Sequence, residues 1–187
     1  MSSILARAAR AASSRPVNNI DIEARGRVNQ TRAALVKTPV PGPYDWASQV
    51  ESMRLAASAW IAFSEGKKEE AVKLARSAAE LEEKVGKHPV TPGAILPARE
   101  LLGDMLVELG RAPEAMAEYE ASLREAPNRF NGLYGAARAA ELAKKPDRAR
   151  EYYAKLLQQC VEGSPRPELA EARRYLSKEG KVTSSSR

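Results

Sequence analysis

The sequence predicts an all-α fold: antiparallel helix pairs stacked into a solenoid, with a capping helix at the C-terminal end. Three observations lead there. Ala, Glu, Arg, Leu and Lys dominate the 187 residues while aromatics are only 5%, a composition of helix formers. No run alternates apolar and polar residues over the length of a strand, whereas from residue 45 onward apolar positions recur every three or four residues. The second half also repeats itself at an offset of 34 residues, a period typical of stacked two-helix units. The length fits one domain, expected over residues 20–178 between disordered tails at 1–19 and 179–187.

Residues 1–19 hold Arg7, Arg10 and Arg15 and no acid. With Ile4 and Leu5 they could form a weak amphipathic helix of the transit-peptide kind; a disordered tail is the plainer reading. They contain no apolar core of about 7–15 residues, so no secretory signal is expected. Asn18 or Asn19 can cap a helix running to about Lys37, with Ile20, Ala24, Val28, Thr31 and Leu35 along one face. The triplet Asn29-Gln30-Thr31 has the form of a glycosylation acceptor, but its place inside a helix makes chance the better explanation. Pro39, Pro41 and Pro43 then impose an extended linker.

Asp45 can cap a helix to about residue 65, with Trp46, Val50, Met53, Ala57 and Trp60 on one face and Gly66 as its stop. The next helix, about 68–84, turns Ala71, Leu74, Ala75, Ala78 and Leu81 inward. Residues 86–95 form a loop marked by Pro89, Pro92 and Gly93. Helices follow at about 97–109, 112–125, 129–143, 146–160 and 167–178, separated by Gly110, Pro127, Pro146 and Pro165. Pro113, Pro146 and Pro167 sit at helix starts, where a missing N–H costs little.

The repeat is explicit when residues 101–127 are set above 135–161. Ala115 falls on Ala149, Tyr119 on Tyr153, Leu123 on Leu157 and Gly110 on Lys144. A diverged earlier copy matches at an offset of 44, with Gly66 on Gly110 and Ala71 on Ala115. Small residues at 115 and 149 allow a close helix crossing, and Tyr119 and Tyr153 fill the gap between neighbouring pairs. This pattern, with Leu102, Gly103, Gly110, Ala115, Tyr119 and Pro127 at the signature positions, resembles the tetratricopeptide (TPR) family. Arg99 replaces the usual tryptophan, and Ala136-Ala137 replace Leu-Gly in the last copy.

The resemblance implies a right-handed α-α solenoid with repeats at about 45–95, 96–129 and 130–163 and a cap at 167–178. Tyr44-Asp45-Trp46, the stretch 87–93, the stretch 97–104, the stretch 127–131 and the tail 166–173 are further similar to a group of longer bacterial TPR proteins, often exported and without a settled activity. That implies the C-terminal part, or a shortened relative, of such a protein. The carboxylate clamp of chaperone-binding TPR domains is not expected, because its positions hold Ala56, Trp60, Leu101, Asn131 and Gly135.

The net charge of +6 invites a nucleic-acid reading, and its distribution argues against one. Residues 1–44 hold seven Lys/Arg against two acids, 45–163 seventeen against nineteen, and 164–187 six against three. The central body therefore has no positive field for a phosphate backbone. No apolar run is long enough to span a membrane. One cysteine excludes an intrachain disulfide, and one histidine excludes the two-histidine zinc motifs. His88 and Cys160 have no sequence neighbours that would make a base, ligand or activated thiol, so local packing is their expected role. No Gly-rich phosphate loop is present. No cofactor and no catalysis are expected, and the compartment is open, cytoplasmic by default.

The expected binding surface is the groove lined by the first helix of each repeat. Trp60 and Phe63 would offer an apolar patch beside an outward acidic stripe of Glu100, Asp104 and Glu108. Asn131, Tyr134, Arg138 and Glu141 would continue it. Such a surface suits a protein or peptide with apolar anchors and Lys/Arg. The alternative is an oligomerisation or assembly module, self-associating through the N-terminal edge around Ile22, Ala33 and Val36.

Overall fold

A computed structural model describes Gln30 and residues 44–88, 93–160 and 165–184, with side chains to Ser177. The expected helix at 20–37, its proline linker and the tail before it lie outside these residues, Gln30 apart. All regular structure among the described residues is helical. The helices are α1 (Trp46–Ser64), α2 (Lys68–Val85), α3 (Ala98–Glu108), α4 (Ala112–Glu125), α5 (Phe130–Leu142), α6 (Pro146–Gln158) and α7 (Pro167–Ser184). The chain divides into two compact units, Met1–Leu102 and Gly103–Arg187, with the division inside α3.

In the first unit, the Asp45 carboxylate accepts the Ser48 N–H at 2.9 Å and caps α1. Hydrogen bonding from Ser48, first from its hydroxyl and then from its N–H, holds the Asp45 carboxyl below its ordinary range. α1 and α2 pair through small residues: Ser52, Ala59 and Ala62 on one side, Ala71, Ala75, Ala78 and Ala79 on the other, all buried. Ser52 Oγ donates to the Ala78 carbonyl at 3.0 Å within this seam, a contact that requires closely approaching backbones.

The seam sets the orientation of α1. Met53 is 62% exposed and Ala57 is exposed, while Trp46, Val50 and Trp60 are half-buried. α1 is apolar on two faces. The face of small residues meets the alanines of α2, since only it lets the two backbones come together.

The start of α3 is capped from a distance. Both carboxylate oxygens of Glu82 on α2 lie 3.3 Å from the Ala98 N–H. Arg99 pairs with Glu83 on the next position of α2. Ala78, Ala79 and Ala98 form a small core against which Leu55 and Ala56 pack.

In the second unit, α4 packs on α5, α5 on α6 and α6 on α7. The core holds Ala115 and Tyr119 from α4, Leu133, Ala136 and Ala140 from α5, Ala149, Tyr153 and Leu156 from α6, and Leu169 and Ala172 from α7. Pro113 and Pro146 stand in the first turns of α4 and α6. α7 runs on to Ser184, past the expected end at 178. Glu179 and Lys181 are good helix formers and no proline intervenes, so the lone Gly180 costs only about 1 kcal/mol.

The turns within the helix pairs share one geometry. Gly66, Gly110 and Lys144 all have positive φ, at +79°, +74° and +56°. At each turn this residue donates its N–H three residues back, to Phe63, Val107 or Glu141. The next residue donates five back, to Ala62, Leu106 or Ala140. This is the Schellman closure of a helix end, which satisfies carbonyls the helix leaves open. The three turns fall at the offsets of 44 and 34 by which the sequence repeats.

Candidate functional site

The first unit contributes Trp60, Phe63 and Glu100 to the expected surface. Trp60 and Phe63 are half-buried on α1. With exposed Met53 and Ala57, Trp60 makes an apolar stripe at helical spacing. Glu100 is not part of an exposed stripe: it is 1% exposed. The reason is its neighbours on α3, Ala98, Leu101 and Leu102, which are all buried. So short a helix, buried most of the way round, takes Glu100 in with it. In the sequence, its i, i+4, i+8 spacing with Asp104 and Glu108 on the first helix of a repeat points it outward.

In the second unit, Asp104 accepts the hydroxyl of Tyr119, so it too belongs to the packing of α3 with α4. Glu108 is exposed and Asn131 is half-buried. Tyr134 donates to Glu171 on α7 at 2.7 Å, and Arg138 donates to the Tyr134 hydroxyl at 3.3 Å. Arg138 also stands 3.5 Å from the other Glu171 oxygen. Glu141 accepts the Tyr153 hydroxyl at 3.1 Å. Burial, followed by the bond to Glu171, pushes the Tyr134 phenol up to about 12. The Tyr153 phenol is raised as well, first by burial and then by Glu141 and Glu171. Both phenols therefore stay protonated, and able to donate, at neutral pH. Two of the α5 residues expected to face a partner, Tyr134 and Arg138, instead engage the chain's own α7.

His88 packs locally, as expected. Its ring lies 4.9 Å from Tyr44 and 5.2 Å from Trp46, with Tyr44 and Trp46 4.8 Å apart. The Tyr44 hydroxyl lies 2.9 Å from the Gly86 carbonyl, so the same residue ties the start of α1 to the end of α2. Among the described residues no group of acids, histidine and cysteine is arranged to hold a metal ion. No described helix is long and apolar enough to cross a membrane.

A feature absent from the sequence reading lies in the second unit, where an open cleft of about 340 Å³ runs between α4 and α6. Its charged lining comes from Glu120, Arg124, Arg148, Glu151 and Lys155, and none of the nine expected surface residues reaches it. The signal was the charge at helix positions 120, 124, 148, 151 and 155, which sequence spacing could not distinguish from an ordinary solvated face. No family model and no curated protein matches the chain.

Proposed function

We propose that the chain is a non-catalytic scaffold of tetratricopeptide-like helix pairs that binds a protein or peptide. The observation that supports this best is the shared turn at Gly66, Gly110 and Lys144, falling at the offsets of the sequence repeat. A recurring two-helix unit builds an extended side-chain surface rather than an enclosed reaction site. The right-handed solenoid path belongs to the same proposal. Its partner surface is revised from the expected groove: α7 engages Tyr134 and Arg138, which leaves the α1 stripe of Met53, Ala57 and Trp60. An apolar stripe at this spacing receives the apolar anchors of an amphipathic partner.

The test begins with selection of binding peptides from a random library on the purified protein. The double variant Met53→Ala, Trp60→Ala is expected to weaken the selected peptides at least tenfold while the melting temperature changes little. Equal binding by wild type and variant would remove α1 from the site. Failure to select any peptide would count against the binding function itself.

A further inference from the structure

Among the described residues, the α4–α6 cleft has a fixed internal charge pattern with one cation left over. Arg148 donates to Glu151 at 2.9 Å and to both Glu120 and the Tyr152 hydroxyl, at 2.7 and 2.6 Å. Tyr152 donates to Glu120 at 2.7 Å, and Lys155 to Glu151 at 2.7 Å. The guanidinium of Arg148 also lies over the Tyr152 ring, 5.0 Å from its centre. Burial works against the charge of Glu120, but the bonds from Arg148 and Tyr152 outweigh it and hold that carboxyl below its ordinary range. Glu151 is held low by its bond from Lys155. Both carboxylates are thus anionic and already satisfied.

Arg124 differs from the other two cations. It is exposed on the last turn of α4, lines the cleft, and makes no hydrogen bond or ion pair with the described residues. Beside it stand Leu123, Pro127 and Leu133, the apolar part of the lining. Three cations against two anions leave one positive charge, which balances a monoanion. A phosphate dianion would leave excess negative charge next to Glu120 and Glu151. A guanidinium matches a carboxylate through two parallel N–H donors. The volume is at the low end for binding pockets, room for a terminal residue or two rather than a folded surface.

We infer that this cleft binds the free C-terminal carboxylate of a peptide whose last side chain is apolar, with Arg124 on the carboxylate and Leu123, Pro127 and Leu133 against the side chain. The inference rests on the protein-binding reading above but uses a different surface, so each can fail without the other.

Fluorescence anisotropy with a labelled Gly-Ser peptide ending in leucine tests it. The free acid is expected to bind at least tenfold more tightly than the same peptide amidated at its C-terminus. Arg124→Ala should abolish that preference, and Lys73→Ala, an equal charge change on exposed α2 surface, should preserve it. Equal binding of acid and amide, an unchanged Arg124→Ala, or no binding of the acid up to about 1 mM would overturn the assignment. N-acetyl-leucine binding as tightly as the peptide would identify a small organic acid as the ligand and overturn the peptide part. The α1 library peptides still binding in any of these cases would confine the failure to the cleft.

Discussion

Tyr119 and Tyr153 stand 34 residues apart on α4 and α6, and each ring is buried against the first helix of its own pair. What surrounds the two rings is different. A Cβ at Gly103 would lie 2.8 Å from the Tyr119 ring, and one at Gly135 would overlap the same ring. Tyr119 therefore occupies a slot made by two missing side chains, and its hydroxyl goes to Asp104. At the next pair the residue matching Gly103 is Ala137, and the residue matching Asp104 is Arg138, which cannot accept a hydrogen bond. The Tyr153 hydroxyl goes instead to Glu141, and the ring packs among others, 5.0 Å from Tyr175 and 6.5 Å from Tyr134. One repeat plan thus accommodates the same aromatic either by subtraction of neighbouring atoms or by surrounding it with other rings.

That difference can be broken most forcefully by removing the rings. Tyr119→Ala is expected to cost about 3–5 kcal/mol, because glycine-lined walls have no side chains to collapse into the void. Tyr153→Ala should cost less, since Tyr134 and Tyr175 can shift towards the space. Chemical denaturation of the two variants checks the order, and equal losses would show that the surrounding rings provide no adaptability. A smaller effect follows from filling the first slot. Gly135→Ala would ordinarily gain about 1 kcal/mol of helix propensity. Here overpacking against Tyr119 should reverse the sign and destabilise by about 1–3 kcal/mol. Combining it with Tyr119→Leu should recover part of that loss; strict additivity of the two changes would break the proposed link between Gly135 and the ring.

The ring cluster around Tyr153 also carries a pH dependence. The Tyr134 phenol has a folded pKa of about 12 against an ordinary 10, so its protonated form is favoured by folding. Its stabilising contribution is complete below pH 10. It declines as pH rises towards 12, because the unfolded chain releases a proton that the folded protein still retains. Tyr153 shifts in the same direction. Melting temperatures should fall across this interval, and Tyr134→Phe should flatten the fall. An unaltered slope in that variant would show that Tyr134 does not hold its proton more tightly in the folded protein than in the unfolded chain.

The features legible in the sequence are those set by local chemistry. Asp45 at the start of α1, the prolines in the first turns of α4 and α6, and the ends of α4 and α5 depend on residues within a turn of each boundary. The 34-residue correspondence of Tyr119 with Tyr153 also survives as a shared burial. The surface was harder to read because it depends on which neighbour each helix meets. α1 has two apolar faces, and only the alanines of α2 decide that Ser52 and Ala59 go inward while Met53 stays out. Glu82 capping α3 and Glu171 engaging Tyr134 are contacts across 16 and 37 residues. No window of sequence marks them. Two members of the acidic stripe leave it for the same reason: Glu100 is buried and Asp104 accepts the Tyr119 hydroxyl, while Glu108 stays exposed.

The gentlest test concerns the turns. Lys144 occupies the left-handed conformation that glycine supplies at the matching Gly110. A side chain there costs about 1–2 kcal/mol of backbone strain. Lys144 is exposed, and its side chain makes no hydrogen bond or ion pair with the described residues, so its removal forfeits little. Glycine brings an opposing cost, the greater freedom of the unfolded chain. The net expectation for Lys144→Gly is a stabilisation of about 0.5–1 kcal/mol, read as a melting temperature higher by a few degrees. Gly110→Ala should move the other way by a comparable amount. Its Cβ would meet nothing within 4 Å, so the cost there is conformational and owes nothing to crowding. If both substitutions lowered the melting temperature, the two turns would not be equivalent, and the repeat would extend to the helices but not to the joints between them.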